Sequence, residues 1–470
     1  MSEDSHMFGN SYDHGVGFHN IGTVLRGASD QVSSAVAKHY GQRCGHTPPG
    51  RFVSVLVPEK TPAITDQIQY LSLMTHAAIG LLTPNEPLPP KSLVVPYINT
   101  LATQTTLESQ GARVWGLPGV ITENLKNKAD FHLLVQELDI KGVCVPEHVI
   151  CDIDNLPASA ADFLVSVQQI YTHAGMQNRY PLGLMIRGGE SDGNYGGCSL
   201  RRLSHKPGIF FTDDEDSSEF PDWDFAIARA HQYIQQATDA NKERRVVISR
   251  FLHLADSPGI SLIIENGRVD HLGWNGQVTA ADGTACIGTG SYHPQSAELS
   301  NTQARHEAET AQDLGSFVLT LADKLGLNRT QLCGLVNFDL MIPGALEVEF
   351  QKRLGKPPQI TIAECNPRWT NYTDALAMVA RVLSINLNTQ GLKETRDRGV
   401  LTADKFSASI RPEVPVESIR EAVYQTDQRL NHTDGSRVIL RMATTPHPGI
   451  ITVGNTDLVQ TELRQALSQL

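Results

Sequence analysis

Two short runs hold the side chains best suited to chemistry: Asn337-Phe338-Asp339-Leu340 and Glu364-Cys365-Asn366-Pro367-Arg368. Two carboxylates, an amide oxygen and a guanidinium on one surface suit a reaction in which Mg2+ is held against nucleotide phosphates. Magnesium takes oxygen ligands, typically from one or two carboxylates, and leaves the rest of its shell to phosphate and water. Taken singly, either acid reads more simply as a solvated edge-strand residue. An Asp strand followed by a strand ending in Glu-x-Asn-Pro-Arg is much harder to obtain by accident.

The elements that position these groups are written in the local pattern. From Cys333 to Ile342, Val336, Phe338, Leu340 and Ile342 alternate with Leu335, Asn337, Asp339 and Met341, the period of two of a strand, so Asn337 and Asp339 share a face. From Ile360 to Asn366 the same alternation puts Glu364 and Asn366 on one side, and Pro367 ends the ladder. Pro343-Gly344 and Gly355-Lys356-Pro357-Pro358 punctuate the connection, which predicts two antiparallel neighbours with Asp339, Glu364 and Asn366 gathered as metal ligands.

This pairing resembles the ATP-grasp superfamily of carboxylate-amine ligases, and the resemblance runs from Asn124 to Asp374. Working backwards, a helix from Asn124 to Leu138 carries the apolar stripe Phe131, Leu134, Val135 and Leu138, with Lys126 and Lys128 in its first turn. The resemblance implies that Lys128 contacts nucleotide phosphate. The strand Tyr180 to Arg187 ends in a cation and is followed by a Gly-rich loop to Gly197. Backbone amides in such a loop can cradle phosphate, here those of Gly193, Gly196 and Gly197, with Arg187 clamping the α or β phosphate. Two departures from the family stand out: Arg187 replaces a usual Lys, and Glu190 and Asp192 would repel phosphate unless they face away. Next come a helix from Asp222 to Thr238 and a strand from Arg244 to Leu252. In the resemblance, Arg250-Phe251-Leu252 is the hinge that receives adenine through backbone groups, although Arg250 stands where an acid for the ribose is common. Arg368 is the implied catalytic residue, stabilising the tetrahedral oxyanion and the departing phosphate. Gly276-Gln277 and Gly288 to Pro294, ahead of a helix from Thr302 to Leu325, are similar to the branch containing the pheganomycin-type peptide ligases, with Gln277 a candidate for the carboxylate site.

Composition frames these readings. The chain has 470 residues, a 40% apolar share and a formal charge of −12, which is no electrostatic footprint for nucleic acid. No run of 18 apolar residues is present, and Met1 to Asn20 lacks a secretory pattern, so the expectation is a cytoplasmic protein that neither spans a membrane nor binds nucleic acid. Seven dispersed cysteines without Cys-x-x-Cys spacing argue against a disulfide framework or a zinc site. No His-Glu-x-x-His or Gly-x-Ser-x-Gly motif occurs.

The expected fold is multidomain, α/β and α+β. Residues 1–50 read as a loosely packed arm with one helix over 30–40. From 51 to 123, Phe52–Val57, Ile64–Leu82, Ser92–Ile98 and Arg113–Val120 alternate strand-like and helical stretches of a doubly wound α/β domain, which the resemblance makes a pre-ATP-grasp domain. The ATP-grasp domain spans 124–386, with its lid at about 180–253. Residues 387–470 form a small α+β appendage. The resemblance implies an ATP- and Mg2+-dependent ligase that activates a small-molecule carboxylate as an acyl phosphate and joins it to an amine, an amino acid or peptide, in specialised metabolism. A carrier-protein thiol as acceptor, a non-catalytic nucleotide-binding regulator and a homodimer remain open alternatives at this point.

Overall fold

The computed structural model describes residues 7–9, 11–21, 41–43, 45–190, 196–202, 208–213, 217–279, 286–292, 297–403, 406, 408, 410–411, 413–433, 435–444 and 447–470. The helix expected over 30–40, Asp192 and Gly193 lie outside them. Three sheets organise the chain.

The first is a five-stranded parallel sheet in the order Ile79–Leu82, Phe52–Leu56, His14–Phe18, Ser92–Pro96, Arg113–Val114. Its middle strand comes from the segment read as an arm. The sequence His-Gly-Val-Gly-Phe has no apolar alternation to betray it, because its glycines admit close packing. A Cβ at Gly15 would lie 2.2 Å from the Pro48 carbonyl oxygen, and one at Gly17 would lie 2.1 Å from Thr47 Oγ1. The helical run expected over Ile64–Leu82 divides. Thr61 caps a helix Pro62–Met74, His76 takes a left-handed φ of 51°, and the chain re-enters the sheet as Ile79–Leu82.

The second sheet has six antiparallel strands in the order Ser217–Phe220, Ile209–Thr212, Gly197–Arg202, Gly183–Gly188, Arg245–Arg250, His148–Asp152. Helices Leu156–His173 and Trp223–Asn241 pack on one face, burying Phe163, Leu164, Ile227 and Ile234 against Leu184, Ile186 and Ile248.

The third sheet has nine strands and carries the candidate site. Cys333–Pro343 is flanked by Thr361–Asn366 on one side and Gly259–Glu265 on the other. Arg268–Thr279 follows as a hairpin over Asn266 and Gly267, both at positive φ, the turn that suits the twist of paired strands. The long helix Ala297–Lys324 covers the apolar face through Leu314, Phe317, Val318 and Leu321. Strands Val400–Ala403, Gly449–Val453 and Arg437–Met442 extend this same sheet through Cys286–Ser291, so residues after 387 are woven into it. The strand-like run Phe406–Ile410 lies in no strand among its described residues. Among the described residues no helix is long and apolar enough to cross a membrane.

Candidate functional site

The two metal-candidate strands pair antiparallel with Asn337 opposite Asn366 and Asp339 opposite Glu364, followed by a bulge after Asp339. Directly opposed residues of an antiparallel pair share a face, so all four side chains meet. The Asn337 amide donates to Asp339 Oδ1 at 2.9 Å, and Asn366 Nδ2 donates to Asp339 Oδ2 at 3.0 Å and, at 3.5 Å, to Glu364 Oε1. Ser261, from the next strand, donates to Asn337 Oδ1 at 2.9 Å. Burial and the Glu364 charge push the Asp339 carboxyl above the usual carboxylate range. Burial acts the same way on Glu364, but Lys128 and Arg187 outweigh it and hold that carboxyl low.

Those two cations arrive from different elements. Helices Gly119–Lys126 and Lys128–Leu138 break at Asn127, whose side chain caps the second by accepting from the Ala129 and Asp130 amides. Lys128 therefore opens a helix, buried, with Nζ 3.1 Å from Glu364 Oε2. Arg187 crosses from the six-stranded sheet, 3.7 Å from the same oxygen, and donates to the Ala363 carbonyl at 3.0 Å. The root of the Gly-rich loop is pinned to this helix start: Lys128 N donates to Gly189 O at 2.7 Å, and Gly189 N to Arg245 O at 2.9 Å. Gly188 N donates to Gly196 O, and Gly197 opposes Arg187, so both loop ends lie beside that cation. Lys126 lies 3.6 Å from Glu190 and 2.7 Å from Glu123, which draws one of the loop's two acids aside.

Arg368 donates to Asn366 Oδ1 at 3.0 Å and to the Tyr97 hydroxyl at 2.9 Å, with its guanidinium 5.4 Å from the Tyr97 ring centroid. Trp369 N bonds Tyr97 O, so the end of a parallel strand and the end of the Glu364 strand are stitched together at Arg368.

The Arg250 side chain lies away from Arg187. It opposes Leu184, one residue out of phase with the pair Val247 and Arg187, so its side chain leaves the opposite face of the sheet. There it is buried under Phe350 and paired with Glu347 at 2.8 and 2.9 Å and with Glu147 at 3.0 Å. The Arg250 and Phe251 amides are also engaged, donating to Glu147 O and Gly183 O. Removing one partner of a buried ion pair strands the other charge. Arg250→Ala is therefore expected to lower unfolding stability by roughly 3–5 kcal/mol in urea titration, and Arg250→Ala/Glu347→Ala to recover part of that loss. Gln277 is exposed on the face of Asp339, beyond buried Asn275. Ser261, Asn275 and Tyr97 escaped the sequence reading. Ser261 is legible in hindsight as the lone polar residue in the apolar run Gly259–Ile264.

Among the described residues no three His, Cys, Asp or Glu side chains gather as a metal-ligand group; the cluster here is two carboxylates with two amides. Neither a protein-family model nor a curated protein matches the sequence. Solved structures do resemble the chain. N5-carboxyaminoimidazole synthase from Aspergillus clavatus, in complex with ADP and 5-aminoimidazole ribonucleotide, is 12% identical, with a TM-score of 0.52 over 98% of this chain and 100% of that one. A biotin carboxylase complex from Campylobacter jejuni is 11% identical, with a TM-score of 0.51 over 94% of this chain and 87% of that one. At such identities the likeness speaks to architecture, and it does so over nearly the whole length: this chain has the multidomain α/β fold of the ATP-grasp ligases.

Proposed function

We propose that the chain is an ATP-dependent ligase that activates a carboxylate as an acyl phosphate and joins it to an amine, releasing ADP and phosphate. One observation carries the reading: Lys128 and Arg187, from separate elements, converge on Glu364 directly across from Asp339. Two half-buried carboxylates opposed on one face, with the Asn366 amide against both, would suit a divalent cation once that amide turns its oxygen towards them. Asp339, Glu364 and Asn366 would hold Mg2+, which when bound neutralises charge on the β and γ phosphates.

Lys128 and Arg187, which Glu364 holds, would exchange it for phosphate oxygens, and the amides proposed for Gly193, Gly196 and Gly197 would add donors to the same phosphates. Leu252 is the hinge position whose backbone is proposed to meet adenine, with Phe251 beside it. A carboxylate oxygen of the substrate attacks the γ phosphorus and ADP leaves. The amine nitrogen then attacks the carbonyl carbon, phosphate departs with the bonding pair, and the amine's surplus proton passes to that phosphate. Arg368 would meet the oxyanion and the leaving group. Membership of the pheganomycin-type branch, an amino acid or peptide as substrate and a role in specialised metabolism belong to this reading and rest on the sequence resemblance.

The test is an ATP-dependent hydroxylamine trap over a pool of carboxylic acids, read by mass spectrometry. Hydroxamate, ADP and phosphate in equal amounts are expected. Tight ATP binding with no ADP from any acid would instead mark a nucleotide-binding regulator.

A further inference from the structure

From Asp339 the strand register passes to Gly259, from Gly259 to Asn275, and from Asn275 to Ser291. Two residues along, Gln277 opposes Thr289, and Thr289 opposes Thr402. Opposed residues share a face and residues two apart return to it, so Asn275, Gln277, Ser291, Thr289 and Thr402 line the face that carries Asp339. Every one of them is an uncharged amide or hydroxyl. Among the described residues two guanidiniums border the strip, and both are engaged: Arg441, which touches Thr402 Oγ1 at 3.2 Å, is set against Asp374, and Arg396, which donates to Leu272 O at 2.9 Å, is paired with Asp397 at 2.7 Å. With strands about 4.8 Å apart, Asn275 lies roughly 10 Å from Asp339, within reach of a substrate joined at a carboxylate phosphorylated beside Asp339.

Two groups on this strip are buried without a use. Among the described residues, Asn275 Oδ1 and Thr289 Oγ1 have no hydrogen-bond partner. Buried acceptors are ordinarily satisfied, and leaving one without a partner costs its desolvation, which a ligand donor would offset. Gly259 fits the same reading. A Cβ there would lie 2.8 and 2.9 Å from the two amide atoms of Asn275 and 3.1 Å from Asn337 Oδ1, so only glycine lets the Asn275 amide lean towards the acids.

We infer that Asn275 and Thr289 are positioning residues for the amine-bearing substrate, and that they grip it through a neutral hydroxyl- or amide-bearing portion rather than through a second negative charge. This rests on the ligase reading above. An Asn275 oxygen accepts only, so the matching ligand group donates, as a hydroxyl, amide N–H or amine does.

The experiment uses the full chain, ATP and the acid found by the hydroxylamine trap, with L-serinamide, glucosamine, butylamine and aspartate as competing amines. Wild-type protein is expected to favour serinamide or glucosamine over butylamine and aspartate by at least about tenfold in kcat/KM, the factor a site built to hydrogen-bond its ligand readily exceeds. Asn275→Leu should bring that ratio close to one. A purely structural role would lower turnover with every amine together, hydroxylamine included, and leave the ratio where it was. An unchanged ratio in Asn275→Leu, or a wild-type preference for aspartate or butylamine, overturns the inference. If Asn275→Leu does not turn over hydroxylamine, Thr289→Val is read in the same way. Failure of the wild type to make any hydroxamate would sink the ligase reading itself; hydroxamate formation without discrimination among amines sinks only this one.

Discussion

Glu364→Gln is expected to cut ATP-dependent ADP formation by roughly a thousandfold or more while the chain stays folded. The substitution keeps the shape of the side chain and removes its charge. A bound metal ion contributes several kcal/mol of transition-state charge stabilisation in phosphoryl transfer, and every 1.4 kcal/mol is a decade in rate. Glu364 is also the acid that both Lys128 and Arg187 face, so its neutralisation leaves two cations near one another without their common partner. The opposing effect lies in Asp339. Its carboxyl is pushed up by burial and by the Glu364 charge, and returns towards the ordinary range when that charge is gone. These terms act in opposite directions on stability, so the thermal midpoint should move far less than the rate. Coupled-enzyme detection of ADP, beside circular dichroism melting, separates the two. Wild-type-like ADP formation in this variant would remove the metal assignment.

The face-sharing of Asp339, Glu364 and Asn366 could be read in advance because strand alternation is a local property. Val336, Phe338 and Leu340 bury one side, and a one-residue slip would turn them to water; Ile362, which plain alternation puts with Glu364, joins them only through the bulge after Asp339. The Asn266-Gly267 turn was legible for the same reason, since its positive φ values select those residues. Arg250 shows where local reading stops. Which face its side chain takes depends on register with Gly183–Gly188, a non-local pairing. Counting outward from Arg187, the opposed residue is Val247, and Arg250 falls on the other face, where Glu347 from a distant helix completes it. His14–Phe18 was opaque for another reason. Its place at the centre of the parallel sheet comes from glycines that let residues 47–48 approach, a packing cause with no periodic trace. The segment after 387 joins the large sheet by pairing Gly288 to Gly290 with Leu401 to Ala403, again invisible without the partner strand.

Arg368 tests the second half of the reaction. Arg368→Lys is expected to lower amide formation by roughly 100- to 1000-fold, the loss seen when one donor to a developing oxyanion is removed, with the ATP dissociation constant nearly unchanged. The split follows from position. Arg368 bonds Asn366 through its amide oxygen and Tyr97 through its hydroxyl, whereas Lys128 and Arg187 gather at Glu364. Lysine keeps the charge but not the planar fork that holds Asn366 and Tyr97 together. If Arg368 only stitches the Glu364 strand to the end of the parallel strand before Tyr97, then Tyr97→Phe, which removes one of its acceptors, should reproduce the defect. If Arg368 works on the oxyanion, Tyr97→Phe should cost less than about tenfold, because the lost contact is a single neutral-acceptor hydrogen bond of roughly 1 kcal/mol. Measuring ADP and amide in the same reaction sharpens the outcome: ADP release outrunning amide formation in Arg368→Lys points to an acyl phosphate that forms and then escapes to water. An equal fall in both, with equal loss in Tyr97→Phe, would assign Arg368 to the architecture of the strand end and leave the oxyanion without its donor.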